Sequence, residues 1–285
     1  MLSQWQCIRQ NIGTWYGSFT KFSPDGEQLK DTPSVLTLKE TKLDQTMQLV
    51  LKRMPTGGTT DVTTRSFSAP GPAPYVCFFE SGAFTQGSAQ WRAFTQFGAE
   101  MCLKVGDRRA RFVIMYESGV DGSAQLEYVV LIRETQTDGL QFSEPVMIPE
   151  YIMGNWQGTL SVLPATMSPM IEGVSAWHFD PSSLKCRSTF GEQVVQLLLT
   201  KELTKEQTAL DDIVLFKGDL DYRLISLPNG TYCLVPSAIE KATKFWIEVG
   251  WLRADRMRSR LIRYYDPRGV WTHSALIEDR QGSQT

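Results

Sequence analysis

Histidine is scarce: His178 and His273 are the only two in 285 residues, and neither has a second ligand-type residue at metal-binding spacing. That argues against a metal centre. The five cysteines, Cys7, Cys77, Cys102, Cys186 and Cys233, are odd in number, widely spaced and lack any C-x-x-C. Neither zinc ligation nor a disulfide framework fits them, whereas free thiols in a reducing compartment do. The segment Met-Leu-Ser-Gln-Trp-Gln-Cys-Ile-Arg-Gln at the N-terminus has no charged region followed by an apolar core, so no secretory signal is read there. No stretch approaches the roughly 18 apolar residues that span a bilayer. The expected location is cytoplasmic.

Charge of one sign is also lacking. With 29 Lys+Arg against 31 Asp+Glu the net charge is −2, which speaks against a polyphosphate backbone as main partner. No nucleophile elbow and no P-loop occur, and Gly57-Gly58 sits in a hairpin-like turn instead of before a helix. No residue is nominated as catalytic. His178 reads as a hydrogen-bonded structural histidine, and a general-base role is the alternative reading of His273.

What the chain does have is a repeat. Gly13-Thr14-Trp15-Tyr16-Gly17 returns 141 positions later as Gly154-Asn155-Trp156-Gln157-Gly158. Phe97–Glu100 matches Phe245–Glu248 at an offset of 148, Arg109–Glu117 matches Arg258–Asp266 at 149, and Tyr128–Glu134 matches His273–Asp279 at 145. Four matches in one order, differing by loop-sized insertions, indicate two homologous halves, 1–145 and 146–285. Each half reads as many short strands with turn chemistry between them: a strand after Trp15, a Pro24-Asp25-Gly26 turn, two strands joined near Leu43-Asp44, a threonine-rich strand over 59–68, a stiff Ala69–Pro74 loop, then strands over 75–80, 111–117 and 128–133. Residues 3–12 form an expected amphipathic helix, and 147–153 takes its place in the second half. The expected fold class is all-β, two tandem antiparallel up-and-down barrels, each preceded by a short helix.

A tryptophan that opens a strand between two glycines can plug the end of a small barrel, with a guanidinium lying over the indole. Trp15 and Trp156 are expected in that role. The Gly-x-Trp after a short helix resembles the lipocalin (calycin) barrel. The segments Phe79–Phe84, Phe97–Glu100, Arg109-Ala110-Arg111 and Leu131–Glu134 are similar to a cyanobacterial and plastid family of tandem lipocalin-like proteins of unknown function. Arg258-Ser259-Arg260 is also similar to a segment of the S-type phycobilin lyases, which attach or chaperone linear tetrapyrroles. The resemblance implies the barrel fold and, as ligand type, a bilin.

Strand alternation puts Arg109 and Arg111 on one face, and likewise Arg258, Arg260 and Tyr264, with aromatic rows opposite. Either set could face the lumen. If the arginines do, each lumen holds two guanidiniums among apolar walls, suited to a carboxylate-bearing amphipathic ligand such as a bilin or fatty acid. If they do not, they pair with carboxylates or stack on the tryptophan, Glu100 and Glu248 being candidate partners. Trp251 is counted with Tyr264 among the ligand-contacting aromatics. Arg253, Arg256, Arg258, Arg260, Arg263 and Arg268 crowd into sixteen residues, with Tyr264 and Tyr265 among them and Trp251 and Trp271 on either side, but divide between both strand faces, so nucleic-acid binding is not the favoured reading. The expected function is non-enzymatic binding of a small amphipathic ligand. The alternatives are a phycobilin lyase or chaperone acting on phycobiliproteins, and a filled-barrel interaction scaffold.

Overall fold

The computed structural model describes residues 2–140, 142, 144, 146–167, 169–201, 213–253 and 256–282; Pro145, where the sequence divides the halves, lies outside them. After helix α1 (Gln4–Arg9), capped by Ser3 in a reciprocal hydrogen-bond box with Gln6, nine strands follow: β1 (Gly13–Phe22), β2 (Gln28–Lys42), β3 (Thr46–Arg53), β4 (Asp61–Ser68), β5 (Cys77–Phe78), β6 (Phe84–Gly87), β7 (Phe97–Val105), β8 (Arg108–Ser118) and β9 (Ala124–Thr135). A single 3-10 turn, Pro149–Ile152, precedes the second set: β10 (Gly154–Pro164), β11 (Ile171–Phe179), β12 (Ser183–Phe190), β13 (Gln193–Lys201), β14 (Ile213–Lys217), β15 (Tyr222–Leu227), β16 (Thr231–Pro236), β17 (Ala238–Ile239), β18 (Phe245–Leu252), β19 (Met257–Tyr265) and β20 (Trp271–Gln281). All pairings are antiparallel among the described residues.

The two halves differ in closure. Strands β10–β16 and β18–β20 form a closed barrel, whereas the first half is a sheet in the order β4-β3-β2-β1-β9-β8-β7-β6-β5 whose ends are not joined. The cause is visible between β4 and β5. In the second half β14 bridges β13 and β15. In the first half the connection carries Pro70, Pro72 and Pro74, which have no N–H to donate to a ladder. The strand expected over 75–80 shrinks accordingly to the two residues of β5. The first half is therefore a wrapped sheet around a lumen, open along one side.

The strand registers reproduce the repeat residue by residue. Trp15 sits opposite Leu36 and Trp156 opposite Trp177; Phe97 opposite Tyr116 and Phe245 opposite Tyr265; Arg109 opposite Glu134 and Arg258 opposite Asp279. The glycines of the motif permit a close crossing. A Cβ on Gly17 would lie 1.9 Å from the Arg133 carbonyl oxygen, and one on Gly158 would lie 2.1 Å from that of Glu278.

Corresponding residues also meet across the junction of the halves. Phe97 packs edge-on against its counterpart Phe245 at 5.5 Å and against Tyr265 at 5.2 Å. Tyr116 donates to the Pro236 carbonyl (2.7 Å), and its counterpart Tyr265 donates to the Ser88 carbonyl (2.9 Å). Ala238 pairs with Gln125, and the equivalent positions Gln90 and Val270 form a bridge. The junction is thus self-complementary about a pseudo-twofold axis, the arrangement of an isologous dimer interface. It is apolar enough to make one continuous core from Phe22 and Phe112 through to Ile262 and Ile277, while Trp5, Ile8, Trp15, Leu36, Leu38 and Phe78 form a separate cluster around the first lumen.

This geometry can be tested by substitution. Gly158→Ala should lower unfolding stability by about 2–3 kcal/mol, since the new methyl meets backbone, read from the midpoint of urea denaturation. Tyr116→Phe should cost about 1 kcal/mol, and Tyr265→Phe more, because the Tyr265 hydroxyl also accepts from the buried Arg263 Nε, which would lose that partner.

Candidate functional site

In both halves the arginine pair faces inward, which fixes the strand face that lines the lumen. Arg109 is 3% exposed and Arg111 8%, while Arg258 and Arg260 are fully buried. Each meets an aromatic ring and a carboxylate. The Trp15 Nε1–H donates to the Asn11 carbonyl and Trp156 Nε1–H to the Ile152 carbonyl, both at 2.9 Å, which locks each ring beneath the strand. The Arg109 guanidinium lies 4.1 Å from the centre of the Trp15 ring and that of Arg258 lies 4.3 Å from Trp156. Arg260 covers Trp177 at 4.2 Å.

The acids that hold these cations are Glu134 and Asp279, at matched positions on β9 and β20, together with Glu100 and Glu248. Arg109 Nε donates to Glu134 (2.7 Å), as does Arg111 Nε (2.8 Å), and Arg111 Nη1 reaches Glu100 (2.7 Å). Arg258 binds Asp279 through two nitrogens at 2.9 and 2.7 Å, and Arg260 binds Glu248 through two at 2.7 and 3.0 Å. Glu100 and Glu248 are legible as partners in the sequence. Glu134 and Asp279 are additions from the structure; the signal that could find them is the pair of aligned segments Tyr128–Glu134 and His273–Asp279, each of which ends on an acid. Burial alone would push the Glu134 carboxyl up, but Arg109 and Arg111 outweigh it and hold it below the ordinary value. Burial drives Cys102, beside them, up to about 12, so this thiol stays protonated.

The halves part company in what remains of the lumen. In the second, Trp156, Trp177, Tyr232 and the paired arginines occupy the interior, each at most 2% exposed. Tyr264 shares their face and stacks on His273 (4.4 Å, 18°), whose imidazole burial holds near 4, hence neutral. Trp251 is not brought to this group: it lies on the opposite face of β18 from Glu248, against Phe142 and Arg108 of the first half. The other arginines of the crowded segment scatter. Arg263 is buried at the junction beside Tyr265 and Thr85, Arg253 pairs with Glu278, and Arg268 pairs with Asp266. His178 is held by Asn155 (2.8 Å) and Asp180 (3.1 Å), a structural arrangement.

The first half keeps a cavity of about 370 Å³. Leu36, Leu38, Leu49, Leu51, Phe67, Phe78 and Phe84 supply apolar walls, and Arg109, Arg111, Glu100 and Gln86 line its polar side. Arg109 Nη1 donates to Asn11 (3.2 Å), while Nη2 is buried without a hydrogen-bond partner. Among the described residues no group of His, Cys, Asp and Glu could hold a metal ion. No helix among them is long and apolar enough to cross a membrane.

The buried acid makes stability depend on pH. Glu134 has a folded-state pKa below its unfolded one, so its contribution is complete above the ordinary value of 4.5 and disappears as pH falls through the folded value. Glu134→Gln should cost about 3–5 kcal/mol near neutrality, because buried Arg109 loses its counter-charge and Arg111 keeps only Glu100. The variant's unfolding free energy should also fall less steeply than the wild type's on acidification, measured by denaturation across about pH 3–7.

Comparison with known proteins gives a separate family for each half. Residues 1–139 match the N-terminal domain of DUF3598, a domain of unknown function, and residues 143–282 match the C-terminal domain of Biogenesis factor required for ATP synthase 1. A solved structure of a DUF3598-family protein of unknown function from Nostoc punctiforme PCC 73102 is 29% identical, with a TM-score of 0.83 over 99% of this chain and 100% of that one. A mutant Rh. blastica porin, covering 94% of this chain and 98% of its own at 7% identity, has a TM-score of 0.20, too low to carry weight. No curated protein matches. The first half is thus similar to the DUF3598 N-terminal domain, the second half to the BFA1 C-terminal domain, and the chain as a whole to the DUF3598-family structure from Nostoc punctiforme.

Proposed function

We propose that this protein binds a small amphipathic, carboxylate-bearing ligand, of bilin or fatty-acid type, in the lumen of its N-terminal half, without catalysing a reaction. The observation that carries this reading is the cavity itself. Its volume of about 370 Å³ falls within the range of small-molecule sites, apolar walls surround it, and a buried guanidinium N–H with no partner lines it. The second barrel buries its own tryptophans and ion pairs in its interior, and serves as the rigid body on which the open half is mounted. A lipocalin-like ancestry, a cyanobacterial source and a cytoplasmic location belong to the same reading; the Nostoc relative and five buried free cysteines support the last two. A phycobilin lyase or chaperone role would add a phycobiliprotein docking surface to this lumen.

The test is native mass spectrometry of the protein from its own host, followed by titration with biliverdin, retinoic acid and palmitate. A retained small molecule, or saturable binding that Leu51→Trp abolishes by filling the cavity, is expected. A protein that is empty and unresponsive to all three defeats the reading.

A second reading has its own support. The C-terminal barrel matches a domain named for a biogenesis factor of ATP synthase, which fits an assembly scaffold whose outer surface docks a protein. Co-purification of ATP synthase subunits with the chain, unaffected by Leu51→Trp, would favour the scaffold over the ligand carrier.

A further inference from the structure

We infer that the ligand's anionic group docks on Arg65 at the open rim of the N-terminal lumen, and that Arg109 at the buried end receives an uncharged oxygen. This deepens the lumen reading and rests on it. The buried end already holds balanced charges. Arg109 and Arg111 face Glu134 and Glu100 there, two against two. All three donor nitrogens of Arg111 end on carboxylate oxygens. Arg109 spends Nε on Glu134 and Nη1 on Asn11, so Nη2 alone is unclaimed.

A ligand carboxylate brought to this end would be a third negative charge against two positive ones, beside a Glu134 with no exposure to water. Burial of a charge without its counter-charge is strongly unfavourable. A hydroxyl or carbonyl oxygen accepts the Nη2 hydrogen bond with no such penalty. The paired guanidiniums that look like an anion receptor in the sequence are therefore already neutralised.

The surplus charge lies elsewhere. Two more guanidiniums line the cavity, those of Arg53 and Arg65. Arg53 is tied to Asp61. Arg65 is exposed and has no acidic partner among the described residues. It sits on β4, the edge strand beside the opening that the proline-bearing connection leaves, and alternates inward with Thr63 and Phe67, which also line the cavity. A carboxylate held there keeps contact with water on one side and gains an unpaired guanidinium on the other. An amphiphile entering through the open side would thus lay its chain on Leu49, Leu51 and Phe67 with its charged end outward. An inward-pointing charge on an edge strand also discourages strand-to-strand association, and the experiment separates the two roles.

The experiment is isothermal titration of the full chain with dodecanoate and with dodecan-1-ol, for the wild type, Arg65→Gln and the cavity-filling Leu51→Trp. Arg65→Gln should weaken dodecanoate about tenfold and move dodecanol by less than about twofold. Raising the salt concentration should weaken dodecanoate alone, since the rim is solvent-exposed. If both amphiphiles bind, Leu51→Trp abolishes both, and Arg65→Gln leaves dodecanoate unchanged, the lumen reading stands and the rim assignment is overturned. The rim assignment is overturned in the same way if Arg65→Gln changes only self-association in sedimentation velocity. If neither amphiphile binds the wild type, or Leu51→Trp leaves binding intact, the lumen reading fails and takes the rim with it.

Discussion

An indole, a guanidinium laid across it and a carboxylate gripping that guanidinium form the unit around which each half is built. The tryptophan is immobilised by a hydrogen bond to the carbonyl four residues before it, so it offers a fixed apolar face. The arginine can be buried there only because its charge is met at once by an acid on the neighbouring strand and its flat surface by the ring. The three groups come from β1, β8 and β9, or from β10, β19 and β20, which are adjacent in each sheet. A shift of one residue in any of these strands would turn its member of the trio to the other face. The trio therefore specifies register as well as stability.

Around this shared centre the halves have diverged at the closing strand. The second half supplies β14 and buries Trp156, Trp177 and Tyr232 in its interior. The first half substitutes a connection rich in proline, leaves β4 as an edge, and has Leu36 where its twin has Trp177. The smaller side chain and the missing strand act in the same direction. Together they leave a lined space in the first half, where the second places large buried aromatic side chains.

The sequence is most informative where the repeat can check itself. Four offsets read from matched segments reappear as four sets of strand registers, because a β-ladder transmits the spacing of one strand to the next without slack. Trp15, Trp156 and the four lumen arginines are legible from the motif and from alternation. The direction in which the arginines point is not, since an amphipathic strand reads the same from either face. Trp251 is near the arginines in sequence, but three residues from Glu248 along a strand is the opposite side of the sheet. Glu134 and Asp279 are hard to pick out because an acid ending a strand is usually a solvated one. Closure is the least legible feature: whether β4 and β5 meet depends on hydrogen bonds that the intervening prolines cannot make, and the strand expected over 75–80 is too long for that reason.

The junction at Phe97, Phe245, Tyr116 and Tyr265 has one more physical consequence. Two separate chains joined by such a surface would come apart on dilution, at a concentration set by their affinity. Here both surfaces belong to one polypeptide, so each holds the other at a fixed effective concentration whatever the amount of protein present. The pairing is therefore as secure at nanomolar levels as at millimolar ones, and the open half never has to find its support.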